Sequence, residues 1–384
     1  MLTGRLGEME TIVQGLIEDK AHVVLYSERG RGKTSLANVI IEALRRNGLT
    51  VVRYQCEASS TFDSCIRGLV RNVPASLLTS PIRLEVMEGC EAALPATPVR
   101  PEDVLGLLPR LRLQSLICVI DEFDRVTDAQ TRTILADAVK QLSDRGVALL
   151  FMIIGVSENL EQLVGQHPSI QRNLVAVPLP LMSDDDIAAV LTKGSGVAGL
   201  TFAPGIVATI VILAHGLPYV AQLLGLRVAQ LATKRGGREI EYRDLAAAAA
   251  RLLGETPPSI LRRYDEVTFQ NGDDTLVTAL EQAACAKQDK WGEIVVSEVG
   301  DAVIVGGRRI PASSWAWLRE LGVVRTQNER SNRFLFAEPG LVLYVLLRSI
   351  VSDGGLPAPA AVWDTGLAGG GLVVPHLPDY SSGR

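Results

Sequence analysis

The spacing of apolar positions changes several times along the chain, and each change marks an element. Met9, Ile12, Val13, Leu16 and Ile17 recur at helical spacing across residues 8–18, whereas residues 22–26 form a short apolar, β-rich run, so a helix is expected to be followed by a strand. Residues 35–46 return to helical spacing, stop at Asn47-Gly48 and give way to a strand over 50–54. Strand, loop, helix and strand make a βαβ unit. Two uninterrupted apolar runs, 115–120 and 147–154, flank a helical stretch at 129–145 and read as parallel strands buried on both faces. A shorter run at 175–178 is a candidate fifth strand. The expected fold class is therefore α/β, a parallel sheet with helices on both faces, spanning residues 1–180.

Pro178 and Pro180 punctuate a change to helical spacing, with candidate helices at 184–191, 204–215, 218–234 and 242–254 that would form a helical lid over residues 181–256. Pro257-Pro258 mark a linker. Helical stretches at 275–287 and 310–321, then short strands at 323–326 and 333–337, give a winged-helix pattern for residues 257–351. Residues 352–384 are rich in Gly and Pro, lack periodicity and are expected to form a flexible tail.

Composition narrows the class. A chain of 384 residues, 47% of them hydrophobic, is long enough for two or three domains at roughly 150 residues each. Its net charge of −5 gives no whole-molecule attraction for nucleic acid or an acidic membrane, so any such contact must come from a local patch. The five cysteines, Cys56, Cys65, Cys90, Cys118 and Cys285, are scattered without a C-x-x-C pair, which fits reduced thiols better than a disulfide or zinc framework. The first residues lack the apolar core of a signal peptide, and the longest apolar run, 206–214, is far short of the roughly 20 residues that span a bilayer. A cytoplasmic protein without a membrane contact is expected.

The chemistry begins after the first strand. Ser27-Glu28-Arg29-Gly30-Arg31-Gly32-Lys33-Thr34-Ser35 lies between a strand and a helix, which is the setting of a phosphate-binding P-loop. Gly30 and Gly32 let the backbone curl so that successive N–H groups face phosphate oxygens, and the new helix adds its positive end. Lys33 supplies charge to the β and γ phosphates, and the Thr34 hydroxyl is a ligand for Mg²⁺. Glu28, Arg29, Arg31 and Ser35 complete the set of expected nucleotide contacts. Ser27 departs from the motif, standing where its first glycine belongs.

The apolar run 116–120 ends in Asp121-Glu122, an arrangement that sets Asp121 on magnesium and Glu122 beside the attacking water as general base. Asp124 either shapes this acidic edge or caps the helix that follows. The strand at 147–154 runs into Ser157 and Asn159. Ser157 is the better candidate to sense the γ phosphate and Asn159 the second, with helix capping as the ordinary alternative. Arg172, before the fifth strand, is either a finger reaching a neighbouring subunit's nucleotide or a plain surface arginine.

Together these residues resemble the AAA+ and related STAND-type ATPases, particularly those like replication initiators, archaeal-type ATPases and transposon-encoded ATPases. The resemblance covers residues 3–350. It is carried by Gly4-Arg5 with Glu8, by residues 28–35 and 121–124, by Ser157 and Arg172, and by His215-Gly216-Leu217-Pro218-Tyr219. It implies ATP and Mg²⁺ as cofactors, Gly4 and Arg5 beside the adenine, and Pro218 touching the nucleotide from the lid. Tyr219 stands where many AAA+ lids carry a sensing arginine, and Arg227 is either a substitute for it or solvent-facing. Gly216-Leu217-Pro218 is similar to the Gly-x-Pro lid motif of STAND switches, which implies slow hydrolysis, ATP-driven conformational change and self-association, with an unidentified protein partner. Arg308, Arg309, Arg319, Arg325, Arg330, Arg333 and Arg348 outnumber Glu320, Glu329 and Glu338 over residues 308–348, so this module is either a DNA-binding face or, as in STAND proteins, a packing hinge. The corresponding alternative function is a DNA-binding ATPase regulator of replication, transposition or mobile-element defence.

Overall fold

The computed structural model describes residues 3–74, 77, 91, 94–111, 116–146, 149–157, 160, 174–268, 274–326 and 332–352. They divide into two compact units, Met1–Asp244 with Gln288–Ile294, and Leu245–Lys287 with Val295–Arg384.

The first unit is built on a five-stranded sheet, β1 (His22–Ser27), β2 (Thr50–Gln55), β3 (Leu116–Asp121), β4 (Leu149–Val156) and β5 (Leu174–Pro178), in the order β2-β3-β4-β1-β5 with every pair parallel. Alternation along the strands assigns side chains to opposite faces. Val23, Leu25, Val51, Ile117, Val119, Leu150, Met152 and Ile154 share one core with helices α1 (Leu6–Ile17) and α2 (Lys33–Arg46). Val24, Val52, Cys118, Ile120, Phe151 and Ile153 share the other with α3 (Phe62–Arg71), α4 (Pro101–Leu107) and α5 (Ala129–Asp144). Burial on both faces explains why these strands read as unbroken apolar runs. The parallel α/β fold expected from the sequence is thus present; helices α3 and α4 are additions that the apolar spacing did not mark.

One polar residue joins the layers. His22 is buried, accepts a hydrogen bond at Nδ1 from the Phe151 amide at 2.9 Å and stacks on the Phe151 ring. Burial lowers its pKa to about 4, so it is neutral near pH 7.

After β5 the chain turns helical. Helix α6 (Asp184–Val197) starts at Ser183, whose hydroxyl accepts from the Asp186 amide, and it carries three aspartates in its positive first turn. It packs with α7 (Ile206–Ala214) and α8 (Pro218–Lys234), while the two-residue strands β6 (Thr201–Phe202) and β7 (Glu239–Ile240) pair in parallel beside them. No described helix is long and apolar enough to cross a membrane.

Helix α9 (Tyr242–Gly254) leads into the second unit, which holds α10 (Pro258–Thr268), α11 (Asp274–Ala284), α12 (Ala312–Glu320) and α13 (Pro339–Ser352). Pro258 opens α10 rather than continuing a linker, because a first-turn proline gives up no helical hydrogen bond and the Pro257 carbonyl accepts from the Ile260 and Leu261 amides. Strands β8 (Ile294–Val299), β9 (Ala302–Val305) and β10 (Arg308–Pro311) form an antiparallel meander, and β11 (Val324–Arg325) pairs antiparallel with β12 (Arg333–Phe336). The sheet order is β10-β9-β8-β12-β11. Ile310, expected to open a helix, instead pairs with Val303, and the helix starts two residues later. Ser352 is the last residue of α13; the rest of the expected tail lies outside the described residues.

Candidate nucleotide site

The parallel register brings the C-terminal ends of β3, β4 and β1 side by side, where loops from three strands meet. From β1, the chain leaves at Ser27, turns through Gly30 (φ +81°) and Gly32 (φ +92°) and enters α2 at Lys33. Both glycine conformations lie in the left-handed region that a side chain disfavours. The Lys33 ammonium is buried under this loop and donates to the Ser27 carbonyl at 2.9 Å, the Ser27 hydroxyl at 3.1 Å and the Glu28 carbonyl at 2.8 Å. All three donors are therefore satisfied within the loop. Ser27, the departure from the motif, supplies two of the acceptors. Burial lowers the Lys33 pKa to about 8, opposed chiefly by Asp124.

The flanks of the loop are tied down by two buried arginines. Arg5 pairs with Glu8 at 3.0 Å and donates to the carbonyls of Arg31 and Pro180. Arg31 donates to Glu28 at 2.8 Å, to the Leu179 carbonyl at 3.3 Å and to the Trp291 carbonyl at 2.7 Å, while its Nε is buried without a hydrogen-bond partner among the described residues. The lid motif lies directly over the loop: a Cβ on Gly32 would stand 3.4 Å from Pro218 Cγ, and one on Gly30 would stand 3.7 Å from Leu217 Cδ2. Gly216 (φ +69°) makes that approach possible, since a Cβ there would meet Leu181 Cβ and the Met182 carbonyl at 2.8 Å. Gly4 is likewise closed in, with Asp186 occupying the space a Cβ would need.

On the acidic edge, Asp121 is buried at the end of β3 and accepts from the Glu122 amide at 2.8 Å and from the Arg53 guanidinium. Glu122 sits in the left-handed region (φ +53°), an uncommon conformation for a non-glycine residue. Its carboxylate pairs with Arg125 at 2.8 Å, and hydrogen bonds from Arg125 and then Gln55 hold it below the usual carboxylate range. Asp124 does not cap α5, whose cap is Asp128; its Oδ1 accepts the Val156 amide at 2.8 Å and so fixes the end of β4. Ser157 is buried, and its amide donates to the Ser27 carbonyl at 3.2 Å.

Of the residues singled out in the sequence, the structure thus gathers Gly4, Arg5, Glu28, Gly30, Arg31, Gly32, Lys33, Asp121, Glu122, Ser157 and Pro218 around three strand ends. Thr34, Ser35 and Arg29 are exposed, as is Tyr219, and Arg227 is half-buried. Arg172 and Asn159 lie outside the described residues. Sequence reasoning missed Arg53 and the Trp291 carbonyl. A charged residue inside the run Thr50-Val51-Val52-Arg53-Tyr54 was a visible signal for the first; a backbone acceptor 260 positions from Arg31 leaves none.

The donor chemistry suits a magnesium–nucleotide pair. The Thr34 hydroxyl and the Asp121 carboxylate are hard oxygen ligands, and among the described residues no group of three or more His, Cys, Asp or Glu could hold a metal alone. Magnesium commonly binds in this way, through one or two protein oxygens completed by substrate phosphates and water. The orphaned Arg31 Nε adds an unused donor beside the loop.

Fold and site define a P-loop α/β protein of the nucleotide-binding class. Residues 17–164 match the family model described as an AAA domain. Comparison with curated proteins finds no match. Among solved structures, the ORC2 protein of Aeropyrum pernix, in ADPNP–ADP complexes, is 14% identical with a TM-score of 0.50, the alignment covering 92% of this chain and 96% of that one. Cdc6p of Pyrobaculum aerophilum is 15% identical (TM-score 0.48; 92% and 95% covered), and the RuvB Holliday junction branch migration motor of Thermotoga maritima is 13% identical (TM-score 0.44; 87% and 93% covered).

Proposed function

We propose that this chain is an ATP-binding and slowly hydrolysing conformational switch of the AAA+/STAND kind, which self-associates in its ATP state. The observation that carries the reading is the stacking of Leu217 and Pro218 on the two loop glycines. A nucleotide entering the loop must be accommodated beneath that lid motif, so occupancy and lid position are coupled through contact.

In this reading, the Lys33 ammonium exchanges its three loop acceptors for phosphate oxygens, at little net loss because every donor stays satisfied. Bound Mg²⁺ supplies charge neutralisation to the phosphates, with Thr34 and Asp121 holding it from the protein side. Glu122, kept ionised by Arg125 and Gln55, takes the proton of the attacking water, and Ser157 reports the γ phosphate to the end of β4. Arg172 serves the neighbouring subunit's nucleotide as a finger. The reading of residues 257–351 as a winged helix fits the helices and antiparallel strands of the second unit, but DNA contact is less supported than packing. Arg348 lies over the rings of Tyr264 and Tyr344, Arg319 over that of Phe334, and Arg309 pairs with Asp301, so these arginines already have partners within the unit.

Mixing two inactive variants tests catalysis and assembly together. Arg172→Ala retains a complete pocket, and Glu122→Gln retains the finger while losing the base; each alone should hydrolyse ATP at least about a hundredfold more slowly than the parent. Combined, they should regain turnover through composite sites. Full activity of Glu122→Gln would remove the base assignment, and absence of recovery at any mixing ratio, with assembly confirmed by light scattering, would make the ATPase monomeric.

A further inference from the structure

Arg53 is a charged side chain at the site to which the sequence assigned no role. It lies on β2, the edge strand beside β3, and its guanidinium bridges two elements: one amino group donates to Asn38 Oδ1 at 2.7 Å, the other to Asp121 Oδ2. Asn38 is one helical turn beyond Thr34, so the two share a face of α2. Arg53 therefore ties the helix that presents the Thr34 hydroxyl to the strand that presents the Asp121 carboxylate. The other Asp121 oxygen already accepts the Glu122 amide.

We propose that Arg53 is a positioning residue that acts as an exchangeable counter-ion for the metal-side carboxylate, so that a divalent cation enters with nucleotide and not alone. The proposal rests on reading Thr34 and Asp121 as the metal side of an ATP site. The Asp121 side chain is only 3% exposed, and a carboxylate buried to that degree needs a compensating charge. Arg53 provides it in the nucleotide-free state. A dication approaching Asp121 by itself would face the fixed guanidinium at close range and gain little. Nucleotide changes the balance, because phosphate oxygens bring negative charge that supports both cations. Arg53, whose side chain is 30% exposed against 3% for Asp121, is the partner able to swing outward. Asn38 then gives the released guanidinium a place to stay hydrogen-bonded.

The test uses the full chain with Mg²⁺ and ATP as separate probes. For the parent, Mg²⁺ alone should leave the thermal unfolding midpoint unchanged, whereas for Arg53→Ala it should raise the midpoint, because an uncompensated carboxylate now binds the ion in the folded state only. Calorimetric titration should show the half-saturating Mg²⁺ for ATP binding falling about tenfold in Arg53→Ala, in line with removal of one nearby charge. ATP affinity in excess EDTA should fall in the variant, since the bare carboxylate repels phosphate, and recover in saturating Mg²⁺. Arg53→Lys should behave as the parent; adding Asp121→Asn to Arg53→Ala should abolish the effect of Mg²⁺ alone. If Arg53→Ala does not fold, Arg53→Gln, which keeps a donor but no charge, carries the same measurements. Half-saturating Mg²⁺ within about twofold of the parent, together with no midpoint shift by Mg²⁺ alone, overturns the proposal. Failure of the parent to bind ATP with or without Mg²⁺ would instead remove the functional reading, leaving the Mg²⁺-only arm to decide on Arg53.

Discussion

The two units treat charge in opposite ways. In the first, Arg5, His22, Arg31, Lys33, Asp121 and Asp244 are all buried, and each is held by named hydrogen bonds or ion pairs. In the second, no Asp, Glu, Lys, Arg or His side chain among the described residues is buried. Arg319 and Arg348 lie on aromatic rings, and Arg309 pairs with Asp301 at the surface. Burying an ionisable group costs free energy that packing alone does not return, so the cluster of Arg5, Arg31, Lys33 and Asp121 at the C-terminal rim of the sheet, apart from His22 and Asp244, marks the candidate site. Arg319 and Arg348 cover apolar rings, as long amphipathic side chains commonly do.

The comparison breaks most visibly at Lys33. If the buried charges of the first unit serve a ligand, Lys33→Ala should weaken ATP binding by about 3 kcal/mol, roughly a hundredfold in Kd, because a charge-assisted contact is lost from a desolvated site. Calorimetry on parent and variant measures this directly. A lowered unfolding midpoint with unchanged Kd would instead make Lys33 a structural tie among the carbonyls of its own loop.

Acid should separate the units next. His22 has a folded pKa of about 4 against 6.5 unfolded, so between those values the unfolded chain binds the proton and the folded chain does not. Stability contributed by the neutral ring is thus complete above about pH 7 and is lost as pH falls through 6.5 toward 4, amounting to about 2 kcal/mol at pH 5. His215, in the same unit, is lowered likewise to about 4 by burial and shares the direction. The described residues of the second unit include no histidine. Urea unfolding at pH 7 and pH 5 should therefore show a loss confined to the first unit's transition. His22→Leu, less stable at pH 7 because the Phe151 amide loses its acceptor, should give a flatter pH dependence. An unchanged slope in that variant would assign the acid sensitivity elsewhere.

How much of this was legible beforehand followed from the physics of each element. Strands β1 to β4 could be read because burial on both faces demands continuous apolar runs, and the loop because glycine and lysine between strand and helix have few other uses. Helices α3 and α4 were missed: Phe62, Cys65, Ile66, Leu69 and Val70 do lie on one face, but the prolines and turns that follow obscure the period. Ile310 was misplaced because Arg308-Arg309-Ile310-Pro311 is too short to show alternation, and its strand exists only through pairing with Val303. The site divides in the same manner. Lys33 and Asp121 announce themselves by local context, whereas the role of Arg53 depends on which strand lies next to β3, and that order is not written in either strand. Asp124 shows the limit most sharply, since its partner is the Val156 amide on another strand and a capping role was the equally good local reading.

The smallest expected effect lies in the second unit and sharpens the contrast from the other side. Arg348 lies 4.7 Å from the ring centroid of Tyr264 and 6.0 Å from that of Tyr344, and those two rings meet edge to face. Tyr264 is buried while Arg348 is half-buried, so the guanidinium caps an aromatic pair at the rim of the unit's core. A partly solvated cation–π contact of this kind contributes about 0.5–1 kcal/mol. Arg348→Met keeps the apolar stem and removes the charge, and should lower stability by about that amount in urea unfolding while leaving ATP affinity and turnover at parental values. Arg348→Lys should also lose part of it, because an ammonium cannot lie flat on a ring as a planar guanidinium does. The opposite result is equally informative. If Arg348 is kept for phosphates, Arg348→Met would leave stability unchanged and reduce retention of duplex DNA at low salt, with the salt slope falling by about one. The cations of the second unit would then belong to a ligand as those of the first do, and the division between a unit for chemistry and a unit for packing would fail.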